Sequence, residues 1–325
     1  MVLIINKKTY SDKCTLDDLA DHESLIKLSK EFARSDEIIQ PNEEISQTIY
    51  VTQREFAVLN STDRHQFRYL GSDDATTCHI IVIDNQAAVA LAHLDGGQTR
   101  LTLDNILQEL DRYAPSTVQY DVYLCGGFLD GSSKQYSRKL SNEILHILST
   151  YRTKTFHLKL SAITDFNDQI RNQIHYPLIY GICFDIQTRT LRKMNFQDFG
   201  PAFRLRSIYQ SIDDHPAWCI YSSIEGNIQI PKFSIPRHYI DHYYLRLYQS
   251  YFHNDKLLLT KTSTSPEQER PTYIKNMKRN ILFILKYWQS IPTWFDSKTN
   301  SISYQRIDNQ WQTDNKNLID DIEID

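Results

Sequence analysis

Cys78 and His93 are the residues of this chain whose types and spacing suit covalent chemistry. The stretch Leu70-Gly71-Ser72-Asp73-Asp74-Ala75-Thr76-Thr77-Cys78-His79 carries two adjacent carboxylates and ends on a cysteine that opens the apolar run at residues 80–83. A polar turn, Asp84-Asn85-Gln86, leads into a second apolar run at residues 87–92, and His93 closes it. Folded as a hairpin around a two-residue Asn85-Gln86 loop, the runs put Asp84 opposite Ala87, Val82 opposite Val89 and Cys78 opposite His93. Directly opposed residues of an antiparallel pair have Cβ atoms roughly 4.5–5.5 Å apart, so an imidazole reaches a thiol. A thiol with a base beside it is equipped for nucleophilic catalysis. An imidazolium partner can lower its pKa of about 8.5 by several units, which leads us to expect a thiolate–imidazolium pair.

The elements that must hold these residues can be read from periodicity. Strand-like runs cluster at residues 48–60, broken near Gln53-Arg54, then at 66–70 and in the hairpin itself. Leu103, Ile106, Leu107 and Leu110 have helical spacing, as do Leu140, Ile144, Leu148 and Tyr151. Residues 117–124 read as a strand running into Cys125-Gly126-Gly127. Further strands are expected at 156–163, at 178–186 with a hairpin partner beyond Gln187-Thr188, and at 217–222 and 227–230. Ile274, Met277, Ile281, Leu285 and Trp288 make one apolar helical face. Thr15 and Asp18 have the spacing of a capping pair at a short helix. Residues before about 45 are mixed and acidic, and the tail from about residue 300 is polar and expected to fray. Many antiparallel strands with a few amphipathic helices predict an α/β (α+β) fold, a layered sandwich of mostly antiparallel sheet with helices packed outside. Residues 1–325 read as one domain, since neither a linker nor a repeat interrupts them.

Composition narrows the partners. With 41% hydrophobic residues in 325 the chain can bury a large core, and a net charge of −4 with no basic cluster calls for neither nucleic acid nor a membrane surface. Apolar runs fall far below the roughly 18–20 residues of a membrane span. Residues 1–5 are too short for a secretory h-region and are followed by Lys7 and Lys8. Cys14, Cys78, Cys125, Cys183 and Cys219 are odd in number with no C-x-x-C, which predicts reduced thiols in the cytoplasm or nucleus. His79 falls on the opposite face of its strand from Cys78 and reads as structural. His238-x-x-Asp241-His242 has the i, i+4 histidines of a metal helix, but its tyrosine-rich surroundings read as a half-buried amphipathic segment, so no metal is expected.

The segment 70–82 resembles the protein N-terminal asparagine amidohydrolase family. The similarity continues in family order through Tyr50-Val51, Gln53-Arg54-Glu55, Gly126-Gly127-Phe128, Pro177-Leu178-Ile179-Tyr180-Gly181-Ile182, Phe196-Gln197-Asp198 with Gly200-Pro201, and Ser263-Thr264-Ser265-Pro266. It spans roughly residues 45 to 290. The first 40 residues, the tyrosine-rich region 238–252 and the acidic tail depart from it. The resemblance implies that Cys78 attacks the side-chain amide of an N-terminal asparagine, that ammonia is released, and that the resulting aspartate is arginylated and feeds the N-degron degradation route. The Cys-to-His hairpin is also similar to that of bacterial chemoreceptor glutamine deamidases and deamidating toxins, in which a loop Thr or Ser completes the site. The matching residue here is Ser72.

The chemistry so implied needs no cofactor. His93 would protonate the departing ammonia and then activate water, and a backbone N–H, that of Cys78 itself, would hold the oxyanion. A substrate α-ammonium requires a carboxylate, supplied by Asp74 or Asp73, although twin aspartates can equally cap their own loop. Proteins or peptides beginning with Asn are the expected partners of a monomeric enzyme. The rival readings are a deamidase of internal Gln or Asn or a transamidase, and a non-catalytic N-terminus-binding protein.

Overall fold

The computed structural model describes residues 2–35, 38–39 (backbone only), 47–60, 67–115, 119–212 and 214–313. Contacts divide the chain into two compact units: Met1–Phe199 with Asp214–Glu225, and Gly200–Asp213 with Gly226–Asp325.

The first unit is built on a large mixed sheet. Its strands lie in the order Trp218–Ser222, Glu55–Asn60, Ala88–Leu94, His79–Asp84, Gln119–Gly126, Thr155–Ile163, Leu3–Ile5 and Lys8–Tyr10. The four strands from Glu55–Asn60 to Gln119–Gly126 pair antiparallel, and parallel pairs flank them on both sides. Alternation sorts the side chains by face. Ile81, Ile83, Ala90, Ala92, Val122 and Leu124 join one buried cluster with Leu103, Ile106 and Leu110 of helix Thr99–Asp111 and with Leu140, Ile144 and Leu148 of helix Tyr136–Thr150. The helical periodicities expected at 103–110 and 140–151 are therefore real, and both apolar faces are spent on this sheet. A second sheet, ordered Ile38–Ile39, Thr190–Met194, Ile182–Asp185, Tyr69–Ser72, Thr48–Tyr50, meets the other face. Tyr123 packs on Phe184 across that interface with ring centroids 5.4 Å apart. The result is helices, large sheet and small sheet in layers, mixed α/β with antiparallel pairs in the majority.

The capping pair is present: Asp18 accepts from the Thr15 backbone and hydroxyl, both at 2.8 Å. The run 48–60 does not stay in one sheet. Thr48–Tyr50 belongs to the small sheet and Glu55–Asn60 to the large one, because Arg54 takes the left-handed conformation, φ +58°, and turns the chain between them.

The second unit carries helices Phe203–Gln210, Leu245–Tyr251, Asp255–Thr262 and Pro271–Tyr287. Pro271 at the first turn and the Asn254 side chain, which accepts from Leu257 N at 3.1 Å, set two of the helix starts. In the tyrosine-rich segment Tyr244 is buried and bonds Ser211, whereas Tyr243 and Tyr248 are exposed. The expectation of fraying from about residue 300 is corrected for 301–312: Ser301–Ile307 pairs antiparallel with both Asn227–Pro231 and Gln310–Gln312. Ile302 and Tyr304 alternate inward and are buried. Their period-2 pattern was masked by the polar residues between them.

This tail hairpin is testable. Ile302→Ala should cost about 2–4 kcal/mol and Tyr304→Ala about 3–5 kcal/mol of stability in urea titrations. Values near zero would restore the frayed tail.

Candidate active site

The segment from Asp73 to Cys78 leaves the small sheet after Tyr69–Ser72 and enters the large one at His79–Asp84, so the candidate residues gather where the two sheets meet. Ser72 is fully buried, and its hydroxyl lies 2.8 Å from His93 Nδ1. The hydrogen bond spans the sheet interface. His93 Nε2 is buried and makes no hydrogen bond within the described residues.

The hairpin register differs from the expected one. Ile80, not Cys78, faces His93, and Asp84 faces Val89. The turn forms one residue later because Asn85 closes it: its N–H donates to Ala88 O at 3.1 Å, and its Oδ1 accepts from Ala87 N and Ala88 N at 3.1 and 2.7 Å. Gln86 takes the positive φ of +70° that the turn demands. The side-chain period of two preserves the face, so alternation keeps Cys78 on the side of Ile80 and His93. Continued one residue beyond the ladder, this register makes Cys78 a diagonal rather than an opposed neighbour of His93, a relation that in a regular sheet spans about 7–8 Å and that an aromatic or long side chain still reaches across. Cys78 is partly exposed.

Cys78 is held through its carbonyl, which accepts from Gly127 N at 2.8 Å. Gly126 must be glycine here. Its φ is +110°, and a Cβ on it would lie 2.6 Å from Cys78 O. Asp73 is 2% exposed, with Oδ1 accepting from Tyr50 OH at 2.8 Å and Oδ2 from Phe196 N at 3.0 Å. Asp74, next to it, is exposed and left-handed, φ +57°, a conformation that Asp tolerates better than most residues.

The electrostatics favour a neutral imidazole. Burial pushes His93 down to about 4, with the Asp95 carboxylate opposing. Burial therefore works against the imidazolium expected from the sequence and favours a neutral base. Burial would raise the Asp95 carboxyl, but Arg54, Gly97 N and Gln53 outweigh it and hold it below the ordinary carboxylate value. Arg54 Nε and Gln53 Nε2 reach Asp95 Oδ2 at 2.6 and 2.8 Å, and Arg54 N donates to His93 O at 2.9 Å. Sequence reasoning missed Asp95, whose place just beyond the histidine strand was the available signal. His79 lies on the helix side, bonded to Ser141 at 2.6 Å, and burial pushes it to about 3. Cys125 faces Ile80 from the neighbouring strand and is buried, which pushes its thiol up. Among the described residues no three His, Cys, Asp or Glu side chains cluster as metal ligands, and no helix is long and apolar enough to cross a membrane.

Comparison with known proteins places this chain among the amidohydrolases. Residues 39–313 match the family described as protein N-terminal asparagine amidohydrolase, and the chain belongs to that family. It is 31% identical over 269 residues to the Homo sapiens protein N-terminal asparagine amidohydrolase, covering 81% of this chain and 83% of that one. To the Mus musculus protein of the same name it is 32% identical over 244 residues, 74% and 75% of the two chains. The Arabidopsis thaliana protein is 24% identical over 299 residues, 81% and 80%.

Two outcomes test this geometry. Gly126→Ala should lose more than about 1 kcal/mol of stability together with most activity; a neutral substitution would refute the close approach to Cys78. The depressed His93 and His79 values mean that protonation favours the unfolded chain. Stability is therefore present above the unfolded histidine pKa of about 6.5 and is lost as pH falls towards 4. Urea midpoints measured between pH 7 and 4 should show this, and His93→Gln should flatten the slope.

Proposed function

We propose that this chain is a thiol amidohydrolase that converts N-terminal asparagine of peptides and proteins to aspartate with release of ammonia. What supports the reading is that the Cys78 segment starts at Ser72, whose hydroxyl bonds the buried His93, in a chain of the N-terminal asparagine amidohydrolase family. That match takes in residues of both compact units, which favours one amidohydrolase chain over an enzyme with an unrelated appendage.

The steps follow from the protonation state. With His93 Nδ1–H donated to Ser72 Oγ, Nε2 accepts the Cys78 proton as Sγ attacks the side-chain carbonyl carbon. The Cys78 N–H stabilises the oxyanion. The C–N bond then breaks, and the imidazolium returns its proton to the departing ammonia. Water, deprotonated by His93, attacks the thioester; the C–S bond breaks, Cys78 regains its proton and aspartate leaves. A neutral His93 suits a site that must receive a cationic α-ammonium without electrostatic conflict.

Asp74 is the better acceptor for that ammonium, because it is exposed whereas Asp73 is buried with both carboxylate oxygens holding the loop. A product carrying N-terminal aspartate would be arginylated and enter the N-degron route. The leading rival, a deamidase of internal Gln or Asn, has no need of an amine-binding carboxylate.

Cys78→Ala should abolish ammonia release from Asn-initiated peptides while leaving the fold intact; near wild-type release would refute the mechanism. N-acetylated Asn peptides should lose most of their kcat/KM, since an unmatched carboxylate costs on the order of 2–5 kcal/mol. N-terminal Gln should react poorly, because one methylene displaces the amide carbon by about 1.5 Å and misplacement near 1 Å costs about a hundredfold. Asp74→Asn should weaken use of free-amine substrates more than Asp73→Asn does at equal folded fraction. Equal turnover of acetylated and free peptides would favour the internal-residue deamidase.

A further inference from the structure

Asn167 is a fully buried polar residue at the end of the short 3₁₀ turn Thr164–Phe166, distant in sequence from every residue of the mechanism. Its Nδ2 donates to Gly127 O at 2.7 Å and to Ile179 O at 3.3 Å, and its Oδ1 accepts from Ile179 N at 2.8 Å. Its own carbonyl accepts from Leu178 N at 2.9 Å. One side chain thus joins the Gly126–Gly127 turn to the segment 178–179.

Both stretches, the second through the adjoining Tyr180, hold the loop that carries Cys78. Gly127 N donates to Cys78 O at 2.8 Å, and Ala75 N donates to Tyr180 O at 3.0 Å. The loop is gripped at Cys78 by one and at Ala75 by the other, and Asn167 fixes the distance between the grips. Asp168 adds a second tie to the same turn by accepting from Leu129 N at 3.1 Å.

We propose that Asn167 is a positioning residue for the reaction, setting the backbone of Cys78 and hence the place of its thiol and N–H. The inference rests on the reading of Cys78 as nucleophile. The partners of the Asn167 amide are backbone groups, so removing the amide leaves them unpaired at a cost of about 1–3 kcal/mol, and activity has to be compared at equal folded fraction. The amide also supplies a fixed relation between two backbone segments, and attack geometry is sensitive to shifts of about 1 Å.

The test compares Asn167→Ala, Asn167→Asp and Cys78→Ala with wild type on Asn-initiated peptides, with the folded fraction measured by circular dichroism. Asn167→Ala should lose about a hundredfold in kcat with KM within a few fold, because no substrate contact is removed. Asn167→Asp carries a further signature. Protonated, its carboxyl both donates and accepts as the amide did; ionised, it loses the donor to Gly127 O. Its kcat relative to wild type should therefore fall as pH rises, and this decides the question if the alanine variant does not fold. A pH-independent ratio, or wild-type kcat in the folded Asn167→Ala protein, overturns the inference. An active Cys78→Ala protein would instead overturn the reading of the nucleophile, so the two failures are distinct.

Discussion

The loop from Asp73 to Cys78 has to leave one sheet and join another, and the neighbouring elements are arranged to pair its backbone on the way. Strand Tyr69–Ser72 ends before this crossing and strand His79–Asp84 begins after it, so the loop lies outside both ladders. A buried donor or acceptor left without a partner costs about 1–3 kcal/mol, which explains why the crossing is lined with groups whose purpose is otherwise obscure. Tyr180 O takes Ala75 N and Gly127 N takes Cys78 O. Asp73 binds the Tyr50 hydroxyl and Phe196 N. Gly181 leaves room for Asp73, whose Cβ would lie 2.3 Å from a Cβ at that position. Several of the motifs shared with the family, around Tyr50, Gly126-Gly127, 177–182 and Phe196, thus converge on a single loop although they are spread over the sequence.

The same crossing explains the electrostatics. A histidine between two sheets is cut off from water, and its charged form is disfavoured. His93 is kept in place by Ser72 on one ring nitrogen and by Arg54 N on its backbone carbonyl. Asp95, whose charge acts on it, is itself paired with Arg54. The site therefore holds a neutral base and a matched ion pair, while the carboxylate that remains exposed is Asp74.

Elements with strong local periodicity were legible in the sequence. The helices over 103–110 and 140–151, the strands at 79–84 and 88–94 and the hairpin beyond Ile182–Asp185 follow from apolar spacing, and so do the layers they imply. The register of the central hairpin was not legible, because the Asn85 side chain, rather than the backbone, decides where the turn closes. The parallel pairs, such as Thr48–Tyr50 with Tyr69–Ser72, are set by long-range packing and leave no local mark. Cys78, His93 and Ser72 stood out by residue type and resemblance, but Asp95 and Asn167 did not. Their importance comes from what the fold brings to them, and a single asparagine or aspartate between apolar runs looks like any other turn residue.

Reliance on buried polar bonds around Cys78 has a physical logic that the rest of the first unit does not share. Its helix face is closed mainly by apolar packing, with the His79–Ser141 bond set into it, and there a small change in shape is absorbed by neighbouring rotamers and costs stability alone. The sheet-to-sheet face near Cys78 uses directional bonds from Asn167, Asp73 and Ser72 instead. Directional bonds tolerate less displacement than apolar contacts, so they fix a backbone more sharply for the same free energy. Cys78 sits one residue before its strand begins, and the bond from Gly127 N to its carbonyl holds its backbone from the end of the neighbouring strand.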